Sequence, residues 1–427
     1  MVYNKLPQGW VECEFKDIGE IVTGSTPSTK HPEYYGDDYP FYKPTDLNYG
    51  YFVETAKDTI STKGYEISRK LPAKSVLVTC IGATIGKTGL IRNEGICNQQ
   101  INAVLPNKHI SSEFVYFYAI SSKIQNQIKI NASATTLPIL NKSGFEKLMF
   151  LLPPLNEQKR IVEKIEEEFG KIDEGIEKLK LAQEQIKQYR QSVLKSAFDG
   201  KLYKTTEWEE KIFSQVLEVN PKTDIPDIKD DDLVSFLPMP AVQAEINIYN
   251  EELVKYSKVK KGYTKFKNKD VLFAKITPCM ENGKSCVVDN LKFGIGFGST
   301  EFHILRNLGS ILPEFVFYFV VQESFRKKAQ NVMTGAVGQR RVPADYLKNI
   351  NINLPTLDEQ KQIVAEIEKR FEVANKIERV ISENLEKAEQ LKQSILKKAF
   401  EGRLVPQDPN DEPASELLAK IQAERKK

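Results

Sequence analysis

Two short polar clusters hold the side chains best suited to chemistry in this 427-residue chain: Asn98-Gln99-Gln100 and Gln339-Arg340-Arg341. A carboxamide presents a donor beside an acceptor and matches the edge of adenine. A guanidinium presents paired donors and matches the edge of guanine. Lys87, Arg92 and Lys284 are charges suited to phosphate oxygens, and Tyr34, Tyr35 and Tyr42 offer flat rings for a sugar or base. Lys43, Thr84, Thr135 and Thr136 in the first half and Lys275, Ser299 and Thr300 in the second complete the candidate DNA-binding set. Loops that carry such residues need a rigid scaffold behind them, so the elements around them matter as much as the side chains.

Catalytic motifs come close and fail. Gly82-Ala-Thr-Ile-Gly86-Lys87-Thr88 has three residues between its glycines where a phosphate loop needs four. Gly294-Ile-Gly296-Phe-Gly298 has Ser299 where a dinucleotide fingerprint needs a third glycine, and Pro278-Cys279 has Asn282 where a zinc deaminase needs a second cysteine. Each reads as a turn in a strand-rich domain. Five cysteines without a C-x-x-C pair, and only three histidines, indicate neither a disulfide framework nor a zinc cluster. No catalytic, cofactor-binding or metal-binding residue is therefore expected.

Charge is sorted along the chain. The total is 61 Lys plus Arg against 58 Asp plus Glu, a net of +3. Residues 57–92 hold 7 basic against 2 acidic residues and residues 255–292 hold 10 against 3, whereas residues 206–232 hold 3 against 9. Local basic bias beside hydrogen-bonding loops suits a polyanion. The longest apolar stretch, near Val316 to Val321, is far short of a membrane span. The N-terminus lacks the apolar core of a secretory signal, so a cytoplasmic protein is expected.

An internal repeat organises the whole. Leu152-Pro-Pro-Leu-Asn-Glu-Gln-Lys-Arg-Ile-Val162 is answered by Leu354-Pro-Thr-Leu-Asp-Glu-Gln-Lys-Gln-Ile-Val364, and Ser192-Val-Leu-Lys-Ser-Ala-Phe-Asp-Gly-Lys-Leu202 by Ser394-Ile-Leu-Lys-Lys-Ala-Phe-Glu-Gly-Arg-Leu404, both at an offset of 202 residues. The segments these motifs bound read as two long helices, with Asn156 and Asp358 as N-caps and Gly200 and Gly402 just past the C-termini. Apolar residues in a 4-3 alternation mark a coiled-coil seam: Ile165, Phe169, Ile172, Ile176, Leu179, Ile186, Val193 and Ala197 in the first helix. The second offers Ile367, Phe371, Ala374, Ile377, Ile381, Leu385, Ala388, Leu391, Ile395 and Ala399. Gln183 and Arg190 interrupt the first seam.

Each helix is roughly 65 Å long at ~1.5 Å per residue. The segment between them starts at the end of one helix and finishes at the start of the other. Compact domains have neighbouring termini, so the helices are expected to be antiparallel, with a pseudo-twofold axis relating the halves. The remaining segments mix β-rich runs (Ser75 to Thr79, Asn102 to Leu105, Val271 to Ala274, Phe302 to Leu305) with one helical stretch each, Ser112 to Ile130 and Pro313 to Gln330. The fold class is therefore α+β: two α/β domains separated by two long antiparallel coiled-coil helices. The expected boundaries are 1–151, 152–205, 206–353 and 354–427, with Ser415 capping a short terminal helix bearing Leu417, Leu418 and Ile421.

In order along the chain, these motifs resemble the specificity subunit of type I restriction-modification systems. The likeness runs through Leu6-Pro-Gln-Gly-Trp10, Thr26-Pro-Ser-Thr29, Ile81-Gly-Ala-Thr-Ile-Gly-Lys-Thr88, Asn98-Gln99, both helix lead-ins and the tail Leu404-Val-Pro-Gln-Asp-Pro-Asn-Asp-Glu-Pro-Ala-Ser415. Ile276 to Lys284, Gly296 to Phe302 and Gly338 to Pro343 resemble another subtype of recognition domain. The resemblance implies two target recognition domains reading a bipartite, asymmetric site on double-stranded DNA, and a helical ruler packed through Ile165, Phe169, Ile172, Ile176, Phe371, Ile381 and Leu385. It also implies two modification (methyltransferase) subunits and a restriction (endonuclease and translocase) subunit, which would bring S-adenosylmethionine, ATP and Mg to a chain holding none itself. The other readings open to the sequence are a coiled-coil scaffold without sequence-specific DNA binding and a standalone DNA methyltransferase or nuclease. Leu152-Pro-Pro-Leu155 lacks the Asn or Asp and the aromatic residue that an amino-methyltransferase would carry there.

Overall fold

The computed structural model describes residues 6–48, 51–133, 137–336 and 338–425. The chain forms two compact units, residues 1–179 with 383–427 and residues 180–382. No helix among the described residues is long and apolar enough to cross a membrane.

In the first unit a five-stranded sheet runs in the order Ile21–Thr23, Ile101–Val104, Val76–Thr79, Thr88–Ile91, Phe52–Val53. The three middle strands are buried at every residue, as sheets covered on both faces require. A three-stranded sheet, Asp58–Ile60, Tyr39–Tyr42, Ile96–Cys97, lies beside it in the chain order. The domain's first and last strands, Val11–Glu14 and Met149–Leu152, pair antiparallel with Val11 opposite Leu152. The expected helix over 112–130 is two, Ser112–Ile120 and Ser122–Asn131. Ser121 between them is extended, and its hydroxyl donates to the Tyr118 carbonyl. The serine supplies a local bond that competes with helix continuation.

The second unit repeats the plan with other dimensions. Its four-stranded sheets run Leu217–Val219, Phe302–Asn307, Val271–Ala274, Ser285–Val287 and Glu252–Lys255, Leu233–Leu237, Ile295–Gly298, Thr264–Lys267. Glu209–Ile212 and Asn351–Leu354 close it as the terminal strand pair. The apolar run at Val316 to Val321 belongs to a buried helix, Pro313–Val320, and the second part of the expected stretch is a separate helix, Glu323–Asn331.

The two long helices are Leu155–Phe198 and Leu357–Ala399. Each starts one residue before its expected cap, so Asn156 and Asp358 lie inside the first turn. In the second helix the cap is Thr356, whose hydroxyl accepts the Glu359 N–H at 3.3 Å. Both C-termini close as expected. Gly200 at φ +71° and Gly402 at φ +68° take the left-handed conformation. The pairs Gly200 N–H to Ala197 and Lys201 N–H to Ser196, and Gly402 N–H to Ala399 and Arg403 N–H to Lys398, satisfy the last carbonyls. The terminal helix is Ala414–Arg425, so Ser415 lies within it, and Leu417 and Ile421 are buried in the first unit.

Within each unit the helix stretches pack antiparallel. In the first, Ile161 and Ile165 share a core with Ile395, Leu396 and Ala399. In the second, Val193, Leu194 and Ala197 share one with Ile363, Val364 and Ile367. Ile165, Ile176 and Ile381 are buried, Phe169, Ile172 and Phe371 pack partly buried on these cores, and Leu385 is half-buried. Two seam positions fail: Ile377 is 46% and Leu391 52% exposed. The helices pack against domain cores at their ends, and a strict heptad does not describe a helix with partners of two kinds. Arg190 does not interrupt the packing. It is buried, lies over the Phe371 ring and donates to Asn375 and Glu378.

Candidate nucleic-acid interface

In the first unit three segments meet at one end of the five-stranded sheet. The first is the turn linking Val76–Thr79 to Thr88–Ile91, in which the Gly86 N–H donates to Thr79 and the Lys87 N–H to Thr84. The second is the Asn98 to Gln100 link, bonded to the first through Cys80 N–H to the Gln100 carbonyl at 2.7 Å. The third is the return from the helix Ser122–Asn131, bonded through Gly82 N–H to Pro138 and Leu140 N–H to Cys80. The glycine-rich sequence at 82–88 is thus a turn that carries side chains.

Side chains within this cluster are ordered by one another. Asn98 accepts the Gln100 N–H at 3.1 Å and its amide donates to the Gln100 side-chain carbonyl at 2.9 Å, which fixes the orientation of both amides. Thr26 donates to Gln99 at 2.7 Å, which gives the Thr-Pro-Ser-Thr motif its place. Thr84, Lys87, Asn98, Gln99 and Gln100 therefore come together. Lys43 stands nearby, because the Asn98 N–H donates to the Tyr42 carbonyl, and its ammonium is paired with Asp58 at 2.7 Å. Thr135 and Thr136 lie outside the described residues. Arg92 stands at the other end of its strand, paired with Glu54 and stacked on Phe52, and does not join the cluster. Tyr42 is fully buried with its hydroxyl donating to Asn93, so its ring packs the core and is closed to a base. Tyr34 and Tyr35 are half-buried, and the Tyr35 hydroxyl donates to Pro27. Beneath the loops burial pushes the Cys80 and Cys97 thiols up to about 12, which keeps both as inert thiols.

The second unit builds the same three-segment arrangement from different residues. The turn from Lys275 to Lys284 links Val271–Ala274 to Ser285–Val287. Ser299, Thr300 and Glu301 link Ile295–Gly298 to Phe302–Asn307, and Arg340, Arg341 and Val342 belong to the return from the helix Glu323–Asn331. Lys275 N–H donates to Glu301, Val342 N–H to Lys275, and Thr277 N–H to Arg340. Lys275, Ser299, Thr300, Gln339, Arg340 and Arg341 therefore share one surface. The Lys284 ammonium turns to the Met239 carbonyl at 3.1 Å. Arg340 donates to the Met333 carbonyl at 2.9 Å and to the Gln330 carbonyl at 3.3 Å, and so serves the end of the helix Glu323–Asn331. Arg341 is clamped on Glu301 through two bonds, at 2.9 and 2.8 Å. The same guanidinium holds the Glu301 carboxyl below its usual range. Glu301 is not evident from sequence, because an acid by itself is unsuited to a polyanion. The only signal available was its place beside Ser299 and Thr300. Burial lowers His303, whose Nε2 faces the Val342 carbonyl at 2.8 Å, so the ring is a neutral support.

A second set of residues missed as functional explains the repeated Glu-Gln pair. Gln158 accepts the Ser111 N–H and donates to Pro153, and Gln360 accepts the Leu312 N–H and donates to Ser310 and Pro355. Each glutamine ties the first turn of a long helix to the start of a domain helix. Glu157 accepts the Trp10 indole N–H at 3.0 Å. Glu359 accepts from the backbone and hydroxyl groups of both Thr205 and Thr206. These residues tie the long helices to the domains that carry the loop clusters. No group of three or more potential metal ligands occurs among the described residues.

Comparison with known proteins gives one family. The family model described as "Type I restriction modification DNA specificity domain" matches residues 7–184 and 205–387. The type I restriction enzyme EcoAI specificity subunit of Escherichia coli is 35% identical over 261 residues, covering 51% of this chain and 44% of the relative. The EcoKI specificity subunit of Escherichia coli K12 is 24% identical over 454 residues, covering 100% of this chain and 97% of the relative. The chain thus matches less than half the length of the first of these. A chain solved in work on complex assembly and conformational transition of the type I R-M system superposes with a TM-score of 0.73 at 19% identity, covering 94% of this chain and 100% of that one. That likeness establishes a shared fold, and the two matched copies of the family model place the chain in the type I restriction-modification DNA specificity family.

Proposed function

We propose that this chain is the non-catalytic DNA-reading subunit of a type I restriction-modification complex, with each domain reading one half of a split, asymmetric site. The observation that carries this is the three-segment cluster built twice, on the same backbone bonds but with different side chains: amides in one unit, an arginine fork in the other. Shared backbone with divergent polar tips is what two readers of unlike sequences need. A coiled-coil scaffold without DNA contact has no use for two such loop sets.

The long helices supply the partner surface. Val373, Ile377 and Val380 lie on one face of the second helix and are 54%, 46% and 50% exposed. An exposed apolar stripe on a helix suits the helices of modification subunits. Methyl transfer from S-adenosylmethionine, and cleavage driven by ATP with Mg, then belong to the modification and restriction subunits.

Footprinting of the chain with and without its modification subunit tests this reading. The expected result is protection of two short blocks on duplexes carrying the site. Methylation or cleavage by the chain alone would contradict it.

A further inference from the structure

Arg341 is clamped in place on the loop surface of the second unit. A guanidinium has five N–H donors. Three are committed: Nε and Nη2 donate to the two oxygens of Glu301 at 2.9 and 2.8 Å, and Nη1 donates to the Gln339 carbonyl at 2.9 Å. One N–H therefore remains on each terminal nitrogen, and the side chain is 41% exposed. Glu301 is itself fixed, since its N–H is bonded to the Ser299 hydroxyl and its carbonyl accepts from Lys275. Arg341 is pinned along its own backbone by antiparallel bridges to Ile276 and Thr334. The fork is thus oriented before any ligand arrives, and the two bonds to Glu301 neutralise the carboxylate that would otherwise repel a polyanion.

The corresponding positions in the first unit lack this device. The bond from Cys80 N–H to Gln100 parallels that from Lys275 N–H to Glu301, and the Ser133 to Ile139 bridge parallels the Thr334 to Arg341 bridge. Gln100 and Ile139 stand where Glu301 and Arg341 stand. At these two positions the first unit has a carboxamide and an aliphatic side chain in place of the carboxylate and the fork.

We propose that Arg341 is the guanine-reading residue of the second domain, and that Glu301 is its positioning residue. A fork with one N–H on each terminal nitrogen matches guanine O6 and N7 in the major groove. Pre-orientation removes the rotamer entropy that a free arginine loses on binding. The asymmetry between the units then predicts a guanine contact of this kind in one half-site only. This inference rests on the reading of the chain as a DNA-specificity subunit.

The test uses the full chain assembled with its modification subunits, on duplexes selected from a randomised pool and then substituted one base pair at a time. In the wild type, replacing one G·C pair of one half-site should weaken binding roughly 5- to 150-fold. R341K, which keeps the charge and loses the fork, should flatten that position to less than about threefold, with the other positions of both half-sites unchanged. E301Q should flatten the same position partly, and R341K/E301Q should be no flatter than R341K, because a positioning residue acts only through the side chain it holds. A uniform loss across all sequences in R341K would identify a phosphate contact and overturn the inference. So would an unchanged guanine preference, or loss of discrimination in both half-sites together. A wild-type complex without any sequence preference would instead overturn the specificity reading beneath it.

Discussion

The Lys392 ammonium stands 5.3 Å from the centre of the Phe169 ring and donates to Asp173 one turn further along the same helix. At the same offset of 202 residues, Arg190 stands 5.5 Å from the Phe371 ring and donates to Asn375. Each unit thus clasps its two helix stretches with a cation from one, over a ring and beside a hydrogen-bond acceptor on the other. Arg190 is the more buried cation and adds a 2.7 Å bond to Glu378.

Arg190→Ala should therefore destabilise the chain by about 2–3 kcal/mol, since it strands a partly buried carboxylate and removes packing on Phe371. Lys392→Ala should cost about 1 kcal/mol. Urea denaturation followed by circular dichroism checks the order. Phe169→Asp and Phe371→Asp should impair assembly with the modification subunit in a pull-down, and unchanged assembly would count against a helical scaffold for partners.

Glu157 and Glu359 occupy equivalent helix positions and should respond to pH with opposite signs. Glu359 is buried, which raises its carboxyl, but the bonds from Thr205 and Thr206 prevail and hold it at about 2, below the ordinary 4.5. Its contribution is present above the unfolded value and is lost as pH falls from about 4.5 toward 2. Burial raises Glu157, against the bond from Trp10. Its protonated form is favoured in the folded state, and that contribution is lost as pH rises through the raised value. Glu359→Gln should cost about 2 kcal/mol at pH 7. Glu157→Gln should be neutral or stabilising, because an amide carbonyl still accepts the indole N–H. Thermal unfolding of both variants at pH 4 and pH 7 decides it.

Gln100→Ala should relax discrimination at one position of one half-site by about 1–3 kcal/mol, because Asn98 holds that amide in one orientation. Lys87→Ala should instead weaken binding to all duplexes and reduce the slope of log affinity against log salt by about one. Competition binding across a salt series separates the two effects.

Thiol alkylation should be selective. Burial pushes Cys13, Cys80 and Cys97 up to about 12 and Cys286 higher still, whereas Cys279 is only half-buried. Iodoacetamide at pH 8 should label Cys279 first, and peptide mass mapping reads the result.

Much of this architecture was legible because repetition and caps are local signals. The matched Leu-Pro-x-Leu-x-Glu-Gln-Lys lead-ins, Gly200 and Gly402 located two helices to within a few residues, and chain order with neighbouring domain termini made them antiparallel. The seam was read less well, since Ile377 and Leu391 fit a heptad yet face solvent, while Arg190 breaks the pattern yet is buried. Periodicity registers apolar spacing and is blind to a cation satisfied by a ring and an amide. Composition singled out loop segments that the fold brings together in each unit. It had no means of separating Arg341, whose fork is presented, from Arg340, whose donors cap a helix, because that depends on bonds to Met333 and Glu301 made through tertiary structure. Arg92 and Lys87 differ by which end of one strand they occupy.

Two unlike loop clusters should read two unlike sequences. Selection of bound duplexes from a randomised pool, by the full chain with its modification subunits, tests it most directly. Two short fixed blocks of different sequence, separated by a stretch of constant length and free composition, are expected. Enrichment of a single block, two identical blocks or no sequence at all would contradict it.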